Sequence, residues 1–328
     1  MQLKSKNFKK SYPSYLESYQ NGNLKRITQL FFEMLESCQL CPRQCKVNRL
    51  NNETGFCNTG LAAKVYSYMP HHGEEPPISG SKGSGTIFFS GCNMSCSYCQ
   101  NFEFSQLGKG RNTDSEELAD IMLKLQKENC HNINLVTPTH VLPQILKAIL
   151  IAIPKGLNIP IVYNTGGYEL LNTIRLLNGI VDIYLPDMRY ADNITALEYS
   201  QANEYPKYNK EVIKEMYAQV KNTSFNENGI MEKGLIIRHL VLPEKQAETK
   251  EILKFIATEI SKDTHVSLMS QYMPLHKANN IEGLSRRITE TEYQNAQDIL
   301  DDYGLTNGWT QENHGQDNLA GIHIEPKI

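Results

Sequence analysis

No apolar run in the 328 residues approaches the ~18 needed to span a bilayer. Residues 1–26, MQLKSKNFKKSYPSYLESYQNGNLKR, are polar and basic and hold no apolar core of signal-peptide length. These two absences exclude a membrane-spanning helix and an exported precursor, so the expected location is the cytoplasm. Charge of one sign is lacking too. A net charge of −3 leaves no overall electrostatic footprint for nucleic acid or an anionic membrane, and nucleic acid is not the expected partner. Repeats and low-complexity tracts are missing. Tryptophan is almost missing: the one residue, Trp309, lies in the Gly- and Asn-rich end DDYGLTNGWTQENHGQDNLAGIHIEPKI, read as a packed tail. What remains, 40% hydrophobic and 21% charged, is the composition of a folded globular protein with a large core.

Seven of the eight cysteines fall into two tight groups, Cys38, Cys41, Cys45, Cys57 and then Cys92, Cys96, Cys99. Clustered thiols in a reducing compartment favour metal over disulfides. Cys130 stands apart and reads as a small buried hydrophobe.

From Gly85 onward, short β-rich runs alternate with helical periodicity. TIFFS (86–90) leads to a helix capped near Asp114 or Ser115, with Glu116 and Glu117 in its first turn and Leu118, Ile121, Met122 and Leu125 at i, i+3, i+4, i+7. INLVT (133–137) precedes a helix carrying Leu142, Ile145, Leu146 and Ile149, and IPIVYN precedes one at 170–177. VDIYLPD is followed by a helix at 211–220, LIIRHLVLP by one at 252–260, and HVSLMS by one at 290–303. Apolar strands separated by amphipathic helices imply a parallel sheet covered by its crossovers. The expected fold is α/β, a partial (β/α)6 TIM-like barrel over residues 86–328. A doubly wound open sheet has the same periodicity. Residues 1–85 read as an N-terminal appendage: a helix near Leu24 to Leu35, the four-cysteine group, and a long loop, HHGEEPPISGSKGSG.

Chemistry in such barrels gathers where strands end and loops begin. The three-cysteine group sits there after the first strand, followed in turn by TPTH, NTGGYE, PDMRYAD and PEKQ. Structural zinc takes four protein ligands, so three clustered thiols leave it incomplete. A 4Fe-4S cluster on three thiolates keeps one iron free for an outside ligand. Cys38-x2-Cys41-x3-Cys45-x11-Cys57 is a complete set of four, suited to structural zinc or to a second 4Fe-4S cluster.

Cys92-x3-Cys96-x2-Cys99, with Tyr98 before the third cysteine and a strand before the first, resembles the cluster motif of the radical S-adenosylmethionine (SAM) superfamily. From Cys38 to about Met273 the chain is similar to the uncharacterised longer relatives of pyruvate formate-lyase activating enzymes, through CQLCPRQC, GEEPPISGSKGSGTIFFSGC, CQN, NLVTPTH, YNTGGYE, DIYLPD and RHLVLP. The resemblance implies a 4Fe-4S cluster whose free iron chelates SAM. An electron from a donor such as flavodoxin or ferredoxin would then split SAM to methionine and a 5'-deoxyadenosyl radical. That radical would take hydrogen from a partner, the glycine of a glycyl-radical enzyme in the activating-enzyme reading. Another protein, a peptide, an RNA or a metabolite is the alternative target. A non-catalytic zinc-binding interaction module is the alternative of another class.

Carried over by position, the resemblance implies that Tyr98 meets the adenine. TPTH stands where many members have a Gly-Gly-Glu stretch for the amino group of SAM, so Thr137, Thr139 or His140 would make that contact; a structural role is the alternative for His140. Asn164 and Thr165 would bond the ribose or methionine part, and Gly166 and Gly167 would let the ligand come close. Asp187 and Arg189 match an Asp-x-Lys pair, with arginine for lysine. Arg238, a charge within an apolar strand, needs a partner: a SAM carboxylate or ribose, or an internal Asp or Glu.

Overall fold

The structure, a computed structural model, describes residues 13–311. The end of the Gly- and Asn-rich stretch, 312–328, lies outside the described residues. Helices α1 (Ser14–Gln20) and α2 (Asn23–Glu33) come first. After the four-cysteine stretch come β1 (Ala63–His71), the single turn α3 (Pro76–Ser79), β2 (Ser84–Phe89), the single turn α4 (Phe102–Ser105) and β3 (Arg111–Thr113). The chain then alternates: α5 (Ser115–Lys127), β4 (Ile133–Val136), α6 (Leu142–Ala152), β5 (Ile161–Thr165), α7 (Leu171–Leu176), β6 (Ile183–Pro186). Helices α8 (Asn193–Ser200) and α9 (Tyr205–Gln219), the hairpin β7 (Ser224–Phe225) to β8 (Met231–Leu240), and α10 (Gln246–Phe255) follow. Strand β9 (His265–Met269), α11 (Glu290–Asp302) and β10 (Gly308–Thr310) complete the described fold.

The sheet runs β10-β9-β8-β6-β5-β4-β2-β1-β3. From β2 to β10 every pairing along this path is parallel, and β2, β4, β5, β6, β8 and β9 lie side by side in chain order. A doubly wound sheet reverses its order at a switch point, and here the order never reverses. The partial barrel is the fold.

Alternation along the strands assigns the two faces. Ile87, Phe89, Leu135, Tyr163, Tyr184 and Ile237 point outward into the main core, which the helices close. Val162, Ile183, Leu185 and Ile236 point inward and meet Ile78 of α3 and Met231 in a second cluster that fills the interior. Helix α5 starts where its sequence signals place it: the Asp114 carboxylate accepts from the Glu117 amide at 2.9 Å, and Leu118, Met122 and Leu125 are fully buried. Cys130 is buried in the main core, as a small hydrophobe would be.

The stretch before β2 is not a plain loop. Strand β1 adds antiparallel to β2, and β3 adds to β1. The link between β1 and β2, HHGEEPPISGSKGSG, turns under the barrel so that Ile78 is fully buried and Glu75 is 8% exposed. One isoleucine among Gly, Ser and Pro gives no periodic signal, which is why sequence spacing does not reveal this segment. Helix α1 is tied to the lower rim by Ser14 N–H donating to Asp182 at 2.6 Å and Ser18 Oγ donating to the Gly179 carbonyl at 2.6 Å. Helix α2 packs on α6.

Candidate active site

The cysteine loop leaves β2 at its C-terminal end, where the backbone of residues 91–101 carries no regular structure and must be held from outside. Ser95 N–H and Ser97 N–H donate to the carbonyls of Ser200 (3.0 Å) and Tyr199 (2.7 Å) at the end of α8. Gln106 Nε2 donates to the Cys96 carbonyl (2.9 Å), and Asn93 Nδ2 to the Tyr168 carbonyl (2.6 Å). Arg43, from the four-cysteine stretch, donates to the Asn93 carbonyl at 3.0 Å. Elements on three sides thereby fix one loop.

Cys92, Cys96 and Cys99 line a cavity of about 440 Å³. All eight cysteines of the chain are free. The Met94 amide donates to Cys92 Sγ (3.3 Å), Ser200 Oγ to Cys96 Sγ (3.0 Å), and Arg189 Nη1 lies 3.8 Å from Cys96 Sγ; Ser105 Oγ is 3.3 Å from Cys99 Sγ. Burial pushes the Cys92 thiol well up and the Cys99 thiol to about 11, with the neighbouring Cys96 adding to both. Thiols held close together, Cys96 buried and Cys92 and Cys99 half-buried, with donors aimed at their sulfurs are a donor set suited to a thiolate-bound cation, which would displace their protons. As they stand, no three His, Cys, Asp or Glu side chains among the described residues form a ready-made grip for a single metal ion.

Tyr98 lines the same cavity, with its hydroxyl 2.6 Å from Tyr190 Oη and its ring edge-on to Tyr272. Tyr190 in turn reaches Ser200 Oγ at 2.6 Å, so a hydroxyl chain runs from Tyr98 to the serine that donates to Cys96.

The TPTH stretch divides. Thr137 lines the cavity with φ +57°, a left-handed conformation that costs a β-branched residue roughly 1–3 kcal/mol. Thr139 turns away and donates to Glu169 Oε1 at 2.5 Å, and Thr165 donates to the same oxygen. His140 does not line this cavity. Its Nε2 is 2.7 Å from the Ser90 carbonyl, its Nδ1 is buried without a partner, and burial lowers its pKa to about 4, so the ring is neutral. It faces the four-cysteine group instead.

Asn164, Thr165 and Gly166 line the cavity. A Cβ on Gly166 would sit 3.1 Å from Met94 Sδ, so the glycine keeps the wall thin. Gly167 has φ +75°, and a Cβ there would collide with Asn209 and the Asp187 carbonyl. Arg238 has internal partners: Nε donates to Asp187 at 2.9 Å, Nη2 to Asn164 Oδ1 at 2.5 Å, and Nη1 lies 3.4 Å from Glu74. Arg189 Nη2 donates to the other Asp187 oxygen at 2.5 Å. Burial raises the Asp187 pKa, but the two guanidinium groups outweigh it and hold the carboxyl below its ordinary range.

Sequence reasoning missed three carboxyls here. Glu169, fully buried below the cavity, has its pKa raised to about 7 by burial, against the hydroxyls that donate to it. Glu74 and Glu75 line the cavity from the β1–β2 link. The available signal was two adjacent acids before a Pro-Pro pair in a Gly-, Ser- and Pro-rich stretch.

Cys38, Cys41, Cys45 and Cys57 line a separate small cavity with His140, Arg43 and Arg49. Arg49 is 1% exposed and donates through Nε and Nη2 to the Gly60 carbonyl (3.1 and 2.9 Å). A Cβ on Gly55 would come within 2.7 Å of Cys45 Sγ, so only glycine fits against that thiol. Burial raises the Cys41 thiol to about 12, Cys57 and Cys38 contributing. The two cysteine groups are neighbours, since a Cβ on Gly91 would touch the Cys57 carbonyl at 2.5 Å.

A parallel (β/α) arc with a three-thiol loop at the C-terminal end of its first strand puts its candidate chemistry where such barrels keep theirs. Residues 86–256 match the radical SAM superfamily, and the chain belongs to that superfamily. Membership implies a 4Fe-4S cluster and SAM. An uncharacterized protein of Methanocaldococcus jannaschii is 31% identical over 282 residues, covering 83% of this chain and 76% of that protein. Among solved structures, Streptococcus suis SuiB bound to precursor peptide SuiA is 13% identical with a TM-score of 0.47, covering 68% of this chain and 47% of SuiB. SuiB bound to S-adenosylmethionine is 14% identical with a TM-score of 0.46, over 68% of this chain and 48% of SuiB. This chain thus spans about half the length of SuiB. No helix among the described residues is long and apolar enough to cross a membrane.

Proposed function

We propose that the cavity at the strand ends is a radical-generating site in which Cys92, Cys96 and Cys99 hold a 4Fe-4S cluster and leave one iron for SAM. When bound there, the cluster would supply the electron that splits the sulfonium of SAM to methionine and a 5'-deoxyadenosyl radical, which would take a hydrogen atom from a partner. What carries this reading is that three free thiols, and no fourth cysteine, line a cavity of about 440 Å³. A volume of that order suits a ligand of nucleoside size. Ser200, Arg189 and the Met94 amide supply donors that stabilise thiolate character at Cys96 and Cys92. Asn164, Thr165, Gly166 and Thr137 form the wall along which SAM would lie, and Tyr98 offers its ring and backbone to the adenine. Asp187 and Arg238 act as a positioning pair that keeps Asn164 Oδ1 turned to the guanidinium. The electron donor proposed is flavodoxin or ferredoxin, and the location the cytoplasm.

For the hydrogen donor we propose the glycine of a glycyl-radical enzyme, as in the activating enzymes. A second reading, another protein, peptide, RNA or metabolite, is favoured by the four-thiol group beside the cysteine loop, for which abstraction from glycine has no evident need. We assign Cys38, Cys41, Cys45 and Cys57 to a second metal, zinc or 4Fe-4S. Residues 1–85 would then carry that second site and residues 86–328 the radical chemistry, with Glu74 and Glu75 reaching across. Anaerobic reconstitution with iron and sulfide, then dithionite and SAM, should yield 5'-deoxyadenosine and methionine in equal amounts. A colourless protein that releases neither would leave only a zinc-binding interaction module. A glycyl-type paramagnetic doublet on a candidate partner separates the two hydrogen donors.

A further inference from the structure

The charges around the large cavity do not balance. Its lining carries three carboxyls, Glu74, Glu75 and Asp187, and two guanidinium groups, Arg189 and Arg238. No lysine or histidine lines it. Asp187 takes both arginines, and Glu74 has the third nitrogen of Arg238. His71, 3.6 Å from Glu74, is kept neutral by burial. Glu75 is left over: it is 8% exposed, it receives a bond from Ser267 of β9, and its Oε2 is buried with no partner. Burial pushes this carboxyl above its ordinary range, against the pull of Arg238, a guanidinium it shares with Asp187 and Glu74. A buried carboxylate whose one nearby guanidinium is shared among three acids is poorly compensated, and a cation beside it removes much of that cost.

The surroundings say what kind of cation. Val136, Met269 and Trp309 contribute apolar wall to the same cavity, and an indole face adds attraction for an organic cation. We propose that the cavity contains a substrate subsite for a protonated amine on an apolar stem, with Glu75 as its carboxylate partner and Trp309 along its flank. The word substrate rests on the radical SAM reading; the binding itself does not. The amine has two natural sources, a free alkylamine metabolite and a lysine side chain of a protein.

Trp309 is the one tryptophan in the chain, so its fluorescence reports on this cavity. Reconstituted full-length protein with saturating SAM is titrated with pentylammonium, with a capped Gly-Lys-Gly peptide, with 1-pentanol, with hexanoate and with potassium chloride. The expected result is a saturable change with one or both amines, at least tenfold tighter than with the alcohol or the acid, and none with potassium. The amine that binds tighter names the source. Glu75→Gln should erase the tenfold preference while circular dichroism stays that of the wild type. Equal responses to amine and alcohol in the wild-type protein would overturn the proposal without any variant. So would displacement of the amine by SAM, which would hand Glu75 to the cofactor, or a matching response to potassium. Release of 5'-deoxyadenosine is measured on the same samples. Its failure counts against radical chemistry and leaves the amine titration readable.

Discussion

Glu169 offers a test of how the site is supported, because burial dominates its energetics. One of its oxygens accepts from Thr139 and Thr165, the other has no partner, and the side chain is shut off from solvent. Its pKa in the folded protein is about 7 against an ordinary 4.5, burial being the cause. Below about pH 4.5 the carboxyl is protonated in both folded and unfolded chains and costs nothing. As the pH rises, the unfolded chain ionises first while the folded chain holds its proton, so stability falls until about pH 7 and is then constant. At about 1.4 kcal/mol for each pH unit, the loss amounts to roughly 3 kcal/mol. Glu169→Gln keeps an acceptor for the two hydroxyls and does not titrate. Urea unfolding of wild type and variant from pH 5 to 8.5 should therefore show the variant gaining about 2–3 kcal/mol on the wild type across that range, with every other titrating group cancelling in the difference. Parallel curves, separated by a constant to within about 0.5 kcal/mol, would refute the account of a carboxyl strained by burial under the cavity.

Gly167→Ala places a side chain at φ +75° against Asn209 and the Asp187 carbonyl, and should lose at least about 2 kcal/mol in urea while the neighbouring wall at Gly166 is untouched. Arg238→Met strips Asp187 and Glu74 of a shared counter-charge inside the protein and should cost about 3–5 kcal/mol; a smaller loss would mean water already reaches that pair. Cys41→Ala should remove one complete metal load, zinc or about four irons, and leave the iron bound through Cys92 in place. Metal analysis unchanged from wild type would mean that the four thiols hold nothing.

The six-fold alternation was legible because strand and helix periodicity are local properties: Leu118, Ile121, Met122 and Leu125 are all buried at the spacing their order announces. The cysteine loop was legible for the same reason, three residues of one chemistry within eight positions. Arg238 was readable as a charge in need of a partner, but which of the partners weighed it would take depended on Asp187, two strands of chain away, and on Glu74 from the far side of β2. His140 was read toward the SAM side; its ring lies against Ser90 and the four-cysteine group because the short turn after β4 rotates it past the cavity wall. Strand β1 gives little signal in the sequence, since an antiparallel strand with mixed burial carries a weak pattern.

Spacing along the chain was thus enough to specify alternating helices and strands of a parallel sheet and the thiol set at the end of its first strand, while the strand order that separates a barrel arc from a doubly wound sheet was set by the tertiary structure. The balance of charge around the cavity, the pairing of Asp187 with two arginines, the burial of Glu75 and the closeness of the two cysteine groups emerge when the chain closes. Arg238 with Asp187 and Glu74, and Arg189 with Cys96, join residues more than forty positions apart, and no periodicity in a sequence encodes which buried acid will meet which base.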